Sequence, residues 1–338
     1  MVLVRMGEMA VLERPDRHPG PGEILVAVRA SGICGSDVPG YLGLTGRRQP
    51  GMVMGHEAAG RVMETGQDVR GVRVGDRVAL CSILSCGLCE PCRRGRPNVC
   101  ERRRGLGMQF DGAYAERMVV PQALVVPLPE SLSFEVAALA EPLAVALHAV
   151  AITPLDPGDA VAIVGAGPIG LLTHLVLRLR GVRSVAITDR SPHRLAVAHA
   201  LGADLAIDVT RTDPAAAVRE ATAGSGADVV FEAVGISATV AQSLSMARSG
   251  GQVTWIGNSA PTVDLPMQDM VTRELTLRGS YAFDREFDDA IDLLATGRID
   301  VRPLIELTAP LADGPELFRR LGDGTLDAVK VLLIPDTE

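Results

Sequence analysis

A strand, a glycine-rich turn and a helix follow one another in the segment AVAIVGAGPIGLL, residues 160–172. The turn carries Gly165, Gly167 and Gly170 in the spacing G-x-G-x-x-G. In such a unit the first glycine permits the tight turn, the second lets the backbone approach a pyrophosphate, and the third lets the helix pack on the strand. The motif alone is weak evidence. Its place directly after an apolar strand favours a dinucleotide-binding α/β domain over a glycine turn that binds nothing.

The surrounding sequence supports this domain type. Strand-like and helix-like segments alternate from about residue 160 to 280, which predicts an α/β fold with a doubly wound parallel sheet covered by helices on both faces. Residues 1–140 instead contain short Val-rich strands bounded by Gly, Pro and Asp, so a second, β-rich domain is expected there. We predict boundaries of 1–143 for the β-rich domain, 144–280 for the nucleotide domain, and a tail, 281–338, that completes the first domain.

Asp189 ends the second strand of the nucleotide domain, 19 residues after Gly170. A carboxylate at this position accepts hydrogen bonds from the adenosine ribose and repels a 2′-phosphate, which favours NAD over NADP. Arg190 follows directly and keeps NADP as an alternative. Further cofactor contacts are predicted at the start of the helix, after the second strand and in the turns after later strands: Pro168, Ile169, Arg194, Val234, Gly257 and Asn258.

Four cysteines lie in one short loop, at Cys86, Cys89, Cys92 and Cys100, in the spacing C-x2-C-x2-C-x7-C. Four thiolates this close in sequence surround one tetrahedral Zn²⁺ at little cost in chain closure. A closed set of four ligands leaves no position for substrate, so this zinc is expected to be structural. Disulfides or free thiols are the alternative; in a reducing cytosol, clustered thiols bind metal more often than they pair.

A second metal site is suggested by Cys34 in GICGSD, by His56 and Glu57 in GHEAAG, and by Glu141 in ALAEPLAVALHA. Each residue alone is unremarkable. Together with a nicotinamide fingerprint they indicate a catalytic zinc with mixed S, N and O ligands and one open position, which a Lewis acid needs to hold an alcohol or carbonyl oxygen.

These motifs occur in one order: GICGSD, GHE, the cysteine loop, EPLAVALHA, VGAGPIGLL and FEAVG. In this order they resemble the zinc-containing medium-chain alcohol dehydrogenase superfamily over essentially the whole chain. Glu141 and its EPL context resemble the polyol branch, with sorbitol, threonine and galactitol-1-phosphate dehydrogenases. The resemblance implies a GroES-like catalytic domain beside a Rossmann domain. It also implies a homodimer or homotetramer, in which the strand ELTLRGS pairs with its copy in a second subunit.

The resemblance also implies roles for individual residues. Cys34, His56 and either Glu57 or Glu141 hold the catalytic zinc. Ser36 takes the alcohol proton and passes it to the cofactor ribose, and Asp37 orients the zinc-bound histidine. Many relatives carry a histidine two residues after this aspartate to finish the proton relay. This chain has Pro39 there, so the end of its relay differs.

Arg47 and Arg48 lie between Cys34 and His56 in the sequence. Either they bind a phosphate or carboxylate group of the substrate, or they belong to a solvated loop. The chain's one lysine, Lys330, excludes a Walker-A loop. It lies in an apolar terminal strand, which argues against Schiff-base catalysis.

The composition of the chain disfavours nucleic acids and membranes as binding partners. The net charge of −8 and the aromatic content of 3% disfavour a nucleic-acid-binding zinc module. We find no secretory signal and expect no membrane span, since the longest apolar helix candidate, around 171–179, is interrupted by His174 and Arg178. We therefore expect a cytoplasmic location.

The predicted function is a zinc-dependent, NAD-dependent dehydrogenase that converts a secondary alcohol of a polyol, sugar or cyclitol to a ketone, reversibly. The alternatives are a zinc ketoreductase of secondary metabolism and a non-catalytic NAD-binding scaffold.

Overall fold

A computed structural model describes residues 1–182 and 184–336 of the chain. Its contacts define two compact units, one formed by Met1–Ala144 with the tail from Asp284, the other by Val145–Phe283. The boundaries predicted from sequence, 143/144 and 280/281, lie one and three residues before these divisions.

The first unit is rich in short strands. Up to the second unit its strands are β1 (Val2–Arg5), β2 (Glu8–Ala10), β3 (Glu23–Gly32), β4 (Glu57–Thr65), β5 (Arg77–Leu80), β6 (Ile83–Leu84), β7 (Arg104–Gly105), β8 (Arg117–Pro121) and β9 (Val125–Pro127). Its helices there are α1 (Asp37–Tyr41), α2 (Glu90–Arg93), α3 (Phe134–Ala137) and α4 (Ala140–Ile152), the last of which continues past Ala144. Short 3-10 turns cover Pro97–Val99 and Gln122–Leu124.

The second unit alternates strand and helix, as the sequence predicts. Its elements in chain order are β10 (Ala160–Val164), α5 (Pro168–Leu179), β11 (Ser184–Asp189), α6 (Pro192–Ala200), β12 (Leu205–Asp208), α7 (Pro214–Ala221), β13 (Ala227–Glu232), α8 (Ser237–Met246), β14 (Ala247–Trp255), α9 (Met267–Thr272) and β15 (Thr276–Gly279). The strands form one parallel sheet in the order β12-β11-β10-β13-β14-β15. Because the chain winds outward from β10 in both directions, the carboxyl ends of β10 and β13 form the crevice where open α/β sheets bind ligands.

The tail belongs to the first unit. It contains α10 (Glu286–Ala295), β16 (Ile305–Pro310), α11 (Gly314–Gly322) and β17 (Lys330–Ile334), with 3-10 turns at Arg302–Leu304 and Leu311–Asp313. Strand β17 joins the main sheet of this unit, whose order is β16-β17-β3-β4-β5-β9 with β8 paired to β3. The α/β class, with a Rossmann parallel sheet and a separate β-rich domain, is therefore confirmed.

Alternation of buried and less buried residues accounts for the β-rich core. Ile24, Val26 and Val28 of β3 are all fully buried, one on every second residue, because successive side chains of a strand point to opposite faces. They pack in one cluster with Val62 and Leu80 of the neighbouring strands. These side chains together form an apolar cluster on one face of the sheet.

Two expectations about the helices were wrong in part. The sequence pattern predicts that helices end at glycine caps, at Gly181, Gly202, Gly224 and Gly250, and that the longest apolar helix candidate lies around 171–179. Gly181, Gly202 and Gly224 follow helices at φ of +83°, +88° and +92°, as C-terminal caps do. The fourth expected cap, Gly250, lies inside β14, because α8 already ends at Met246. The longest apolar helical stretch is Phe134–Ile152 rather than 171–179. By length and composition alone it would cross a membrane, yet 72% of its most apolar window is buried in the fold, as in a core helix.

Candidate functional site

Strand register brings three predicted metal ligands together. In the antiparallel pair of β3 and β4, Gly32 lies opposite Glu57. Cys34 follows two residues after Gly32, and His56 directly precedes Glu57, so both lie at the same end of this strand pair. One donor atom from each of Cys34, His56 and Glu57 lies within 4.8 Å of the other two. A sulfur, a nitrogen and an oxygen at this spacing fit one zinc ion with three protein ligands.

The three donors differ in exposure. His56 and Glu57 are buried, at 6% and 1% exposed. Cys34 is only half-buried, and Ser36 next to it is exposed. The Ser36 hydroxyl donates to Cys34 Sγ at 3.3 Å. The hydroxyl predicted to take a proton therefore lies beside the predicted sulfur ligand, on the side of the group that solvent reaches.

The electrostatic surroundings of His56 favour a positive charge. Burial lowers the pKa of His56, but the Asp37 carboxylate and the Cys34 sulfur raise it, and the net shift is well above the ordinary value. Within the described part of the chain, His56 Nδ1 has no hydrogen-bond partner, and it lies 3.6 Å from Asp37 Oδ1. A buried histidine held between a sulfur and a carboxylate suits a cation at its other nitrogen, as a zinc site requires.

Lys330 lies behind Glu57, which sequence reasoning missed. Its Nζ donates to both Glu57 oxygens, at 2.7 and 3.0 Å, and to the Ile33 carbonyl at 3.2 Å. Strand β17 pairs with β3 so that Leu332 lies opposite Gly32, which sets Lys330 beside this carboxylate. One feature of the sequence could have indicated this contact: the chain's single lysine lies in an apolar strand, and a buried charge needs a partner of opposite charge.

Glu141 is separate from the three-donor group. It is 6% exposed at the start of α4, and its Oε1 accepts a hydrogen bond from Ser82 Oγ at 2.6 Å. Burial raises the pKa of Glu141, and the nearby Glu57 carboxylate adds to this, against the opposite effects of His56 and Ser82. The sequence leaves both glutamates as candidate ligands. In the structure Glu57 lies with Cys34 and His56, whereas Glu141 is hydrogen-bonded to Ser82.

The four-cysteine loop forms a second cluster. Cys86, Cys89, Cys92 and Cys100 each place a sulfur within 4.8 Å of the others. Cys89 Sγ lies 3.4 Å from Cys92 Sγ and 3.7 Å from Cys100 Sγ. Sulfurs that bind one tetrahedral zinc at about 2.3 Å are about 3.8 Å apart, so the loop already has the dimensions of such a site. All six cysteines lie in the described residues and are free thiols.

The protonation of this loop also fits a metal. Backbone N–H groups of Leu88 and Cys89 lower the pKa of the Cys86 thiol to about 6. Burial and the neighbouring sulfurs raise the pKa of Cys92 to about 12. Without a cation the four thiols cannot all ionise together, whereas a bound Zn²⁺ would favour four thiolates. Cys81 is not in the cluster, and burial raises its pKa to about 11.

The glycine-rich turn has the geometry that its sequence predicts. Gly165 has a φ of +99°, which favours glycine. A Cβ on Gly170 would lie 1.8 Å from the Gly165 carbonyl oxygen, so the third glycine is required for the helix to approach the turn. Gly167 is the N-cap residue of α5, with Pro168 at the first helical position and Ile169 after it. The backbone amides at this helix start are available to a phosphate.

Residues around the turn occupy positions suited to the adenosine half of a cofactor. Asp189 accepts the Ala166 N–H and the Ser191 N–H, each at 2.8 Å. Arg194 Nη1 lies 3.7 Å from where a Cβ on Gly167 would be, while Arg190 is exposed. The Asp189 carboxylate thus holds the turn in place, and each oxygen keeps a lone pair for a further donor.

Two later turns come together at the carboxyl ends of β13 and β14. Glu232 Oε1 accepts the N–H groups of Val234 and Gly235, at 2.9 and 2.7 Å. A Cβ on Gly257 would lie 2.2 Å from the Gly235 nitrogen, so these two backbone segments touch. Asn258 follows Gly257 in the same turn. The structure therefore brings Val234, Gly257 and Asn258 to one edge of the sheet, and Glu232, which sequence reasoning missed, holds the first of these turns.

Comparisons with known proteins agree with this geometry. The family described as alcohol dehydrogenase GroES-like domain matches residues 20–130, and the family described as zinc-binding dehydrogenase matches residues 168–296. A sorbitol dehydrogenase from Halalkalibacterium halodurans is 34% identical over 334 residues, which are 97% of this chain and 96% of the relative. The chain belongs to the zinc-type medium-chain dehydrogenase family.

Solved structures of this family share the whole fold. A zinc-binding dehydrogenase from Sinorhizobium meliloti 1021, bound to NADP, superposes with a TM-score of 0.92 at 34% identity and covers 99% of this chain and 98% of its own. An alcohol dehydrogenase from E. coli CFT073, complexed with NADH, superposes with a TM-score of 0.89 at 31% identity and covers 98% of each chain. The resemblance to the polyol branch is confirmed, and zinc and a nicotinamide dinucleotide are the cofactors of this medium-chain dehydrogenase. Its chemistry is that of an alcohol dehydrogenase.

Proposed function

We propose that this dehydrogenase uses NAD to convert a secondary alcohol of a polyol, sugar, sugar phosphate or cyclitol to a ketone, and that it also runs the reverse reaction. The proposal depends above all on the group Cys34, His56 and Glu57, because three buried or half-buried donors of different type leave one zinc position for a substrate oxygen. The cysteine loop, with four sulfurs, leaves none and is proposed to hold a structural zinc.

Each residue of the group has a defined task in this proposal. When bound, the metal supplies a Lewis acid that favours loss of the alcohol proton, and the nicotinamide supplies the hydride acceptor. Ser36 is exposed beside Cys34 and takes the alcohol proton on its Oγ. Glu57 is the third ligand, and Glu141, held by Ser82 Oγ, is the alternate carboxylate. Pro39 has no group that binds a proton, so protons leave Ser36 by another route.

The substrate class is testable with steady-state kinetics on a panel of polyols, sugar phosphates and aminocyclitols with NAD. We expect turnover with at least one secondary alcohol, and its loss in Cys34→Ala and His56→Ala while both variants still bind NAD. Turnover retained in either variant would exclude the proposed metal site. NAD binding without turnover on any alcohol or ketone would favour a non-catalytic scaffold, and preference for a ketone outside the panel would favour a ketoreductase.

The preference for NAD depends on Asp189. Its carboxylate ends β11 beside the glycine turn, where it would repel a 2′-phosphate. Asp189→Ser should raise the ratio of kcat/KM with NADP to kcat/KM with NAD, and Arg190→Ala should lower that ratio. A wild-type enzyme that prefers NADP, or an unchanged ratio in Asp189→Ser, would overturn this assignment.

A second copy of the chain is the proposed partner of β15. This strand is an edge of the parallel sheet, and the preceding segment exposes Leu265, Met267 and Val271 at 41%, 69% and 62%. Large exposed apolar side chains beside a free edge favour pairing between copies. Met267→Glu with Val271→Glu should reduce the mass measured by light scattering to that of a monomer, whereas Val74→Glu, an exposed control, should not. We place the enzyme in the cytoplasm, where its thiols stay reduced.

A further inference from the structure

The side chain of Asp37 is fully buried at the start of α1, directly behind His56. Its Oδ1 lies 3.6 Å from His56 Nδ1, a few tenths of an ångström beyond a hydrogen bond. Among the residues that the structure describes, no group forms a hydrogen bond with the buried His56 Nδ1. If Nδ1 faces this carboxylate, Nε2 is the nitrogen that remains for a metal. The orientation of the imidazole then depends on where the Asp37 carboxylate is held.

Two further side chains fix that carboxylate. Arg48 Nη2 donates to Asp37 Oδ1 at 2.7 Å, and Tyr114 Oη donates to Asp37 Oδ2 at 2.6 Å. Arg48 is 3% exposed and Tyr114 is fully buried. Each oxygen of Asp37 therefore has its own donor, and the two donors come from segments 66 residues apart in the chain.

Two glycines leave space for the side chains of Arg48 and Tyr114. A Cβ on Gly40 would lie 2.6 Å from Arg48 Cγ, and a Cβ on Gly55 would lie 2.7 Å from Tyr114 Cδ1. Gly55 also has a φ of +97°, in the left-handed region. The arginine thus packs over α1, and the tyrosine packs over the residue that precedes His56. Neither of the two roles expected for Arg48 from sequence, solvated loop or substrate contact, fits a buried guanidinium that is bonded to Asp37.

We propose that Arg48 and Tyr114 are positioning residues for the catalytic metal: they hold the Asp37 carboxylate where it orients His56 through Nδ1. This inference rests on the proposed function, because it concerns the same metal group. A carboxylate that accepts from the far nitrogen of a ligating histidine fixes its tautomer and ring orientation, and loss of such partners lowers metal affinity about 10–100-fold. Arg48 and Tyr114 act one step further out, through Asp37.

The test is a chelator titration of the zinc-loaded protein, with zinc release counted per chain and compared among wild type, Arg48→Met, Arg48→Lys and Tyr114→Phe. Arg73→Met, an exposed arginine of the same unit, is the matched control. We expect Arg48→Met to release one zinc per chain at about 10-fold lower chelator concentration. Tyr114→Phe should show a smaller effect and Arg48→Lys a partial rescue, and the four-cysteine zinc should be retained in all of them.

A second comparison separates positioning from general destabilisation. In an Asp37→Asn background, Arg48→Met should cause no further loss of zinc affinity, although its unfolding temperature can still fall. If Arg48→Met folds poorly, Tyr114→Phe in the same two backgrounds gives the same comparison. Equal zinc affinity in wild type, Arg48→Met and Tyr114→Phe would overturn the inference and leave the proposed function intact. A wild-type protein that binds zinc only at the cysteine loop would overturn the proposed function itself.

Discussion

Lys330 Nζ lies 2.7 Å from one carboxylate oxygen of Glu57 and 3.0 Å from the other, and both side chains are 1% exposed. Burial lowers the pKa of Lys330, but the Glu57 carboxylate outweighs this effect and the net shift is upward. The lysine therefore stays charged. A carboxylate proposed to bind zinc on one side is held by an ammonium group on the other, so its position does not depend on the metal alone.

The first prediction concerns this ion pair. Lys330→Met should lower the free energy of unfolding by about 3–5 kcal/mol, because it leaves the Glu57 carboxylate buried without its cation. The measurement is urea unfolding in a Cys34→Ala background, where no catalytic zinc would compensate the carboxylate. Arg302→Met, which breaks the exposed pair with Asp300, should leave the free energy of unfolding close to that of the Cys34→Ala parent, because solvent screens this pair. Equal costs for the two variants would show that the buried pair is not a stabilising contact.

The second prediction concerns the space that Glu57 occupies. A Cβ on Gly32 would lie 2.2 Å from Glu57 Oε2, whereas a Cβ on Gly35 would have no atom of a non-adjacent described residue within 4 Å. Gly32→Ala should therefore displace the carboxylate and lower the free energy of unfolding by about 1–3 kcal/mol. Gly35→Ala should be close to wild type in the same unfolding experiment. A Gly32→Ala protein as stable as Gly35→Ala would mean that Glu57 does not lie against β3.

The third prediction separates the two metal clusters. Cys89→Ser should lower the unfolding temperature and remove one zinc per chain, because Cys89 is one of the four clustered sulfurs and is 5% exposed. Cys81→Ala, at a half-buried thiol outside the cluster, is the control and should keep its zinc. Metal analysis and calorimetry on both variants check this. Unchanged zinc content in Cys89→Ser would argue against the structural site.

The fourth prediction is a pH dependence in the nucleotide unit. His174 in α5 is fully buried, and its Nε2 contacts the Leu201 carbonyl at 3.1 Å. Its Nδ1 has no hydrogen-bond partner in residues 1–182 and 184–336. Burial lowers the pKa of His174, so the unfolded chain takes up a proton more readily than the folded one. Its contribution to stability is complete above the ordinary histidine pKa of about 6.5 and is lost as pH falls from there through the lower folded pKa.

Unfolding free energies between pH 7 and pH 5 test this effect. His174→Gln keeps an N–H donor but does not titrate, so its stability should fall less steeply with acidification, by up to about 1.4 kcal/mol per pH unit. His199→Gln, at an exposed position of α6, should keep the wild-type slope. A wild-type slope in His174→Gln would assign the acid sensitivity to other groups.

The sequence was sufficient for features encoded in short segments. Three such features depend only on residues close together in the chain: the alternation of the strands, the glycine turn and the spacing of the four cysteines. The structure shows each of them at the predicted place. Gly250 shows the limit: a glycine after a helical pattern resembles a cap, but pairing of β14 with β13 carries the strand through it. Non-local strand pairing decided that position.

The sequence did not predict which residues pair with the buried charges. Lys330 and Glu57 are 273 residues apart, and only the joint register of β17, β3 and β4 brings them together. Arg48 was expected in a solvated loop or at a substrate, because nothing in its neighbouring residues shows that Asp37 lies within its reach. The hydrogen bond between Ser82 Oγ and Glu141 likewise depends on the position of α4, which local sequence does not show.

Zinc stoichiometry is the most direct test of the claim that one ion is catalytic and a second is structural. Elemental analysis of pure protein should give two zinc ions per chain in wild type and one in Cys34→Ala, with the remaining ion lost only when the cysteine loop is also changed by Cys89→Ser. One zinc per chain in active wild type, or two in Cys34→Ala, would contradict the account.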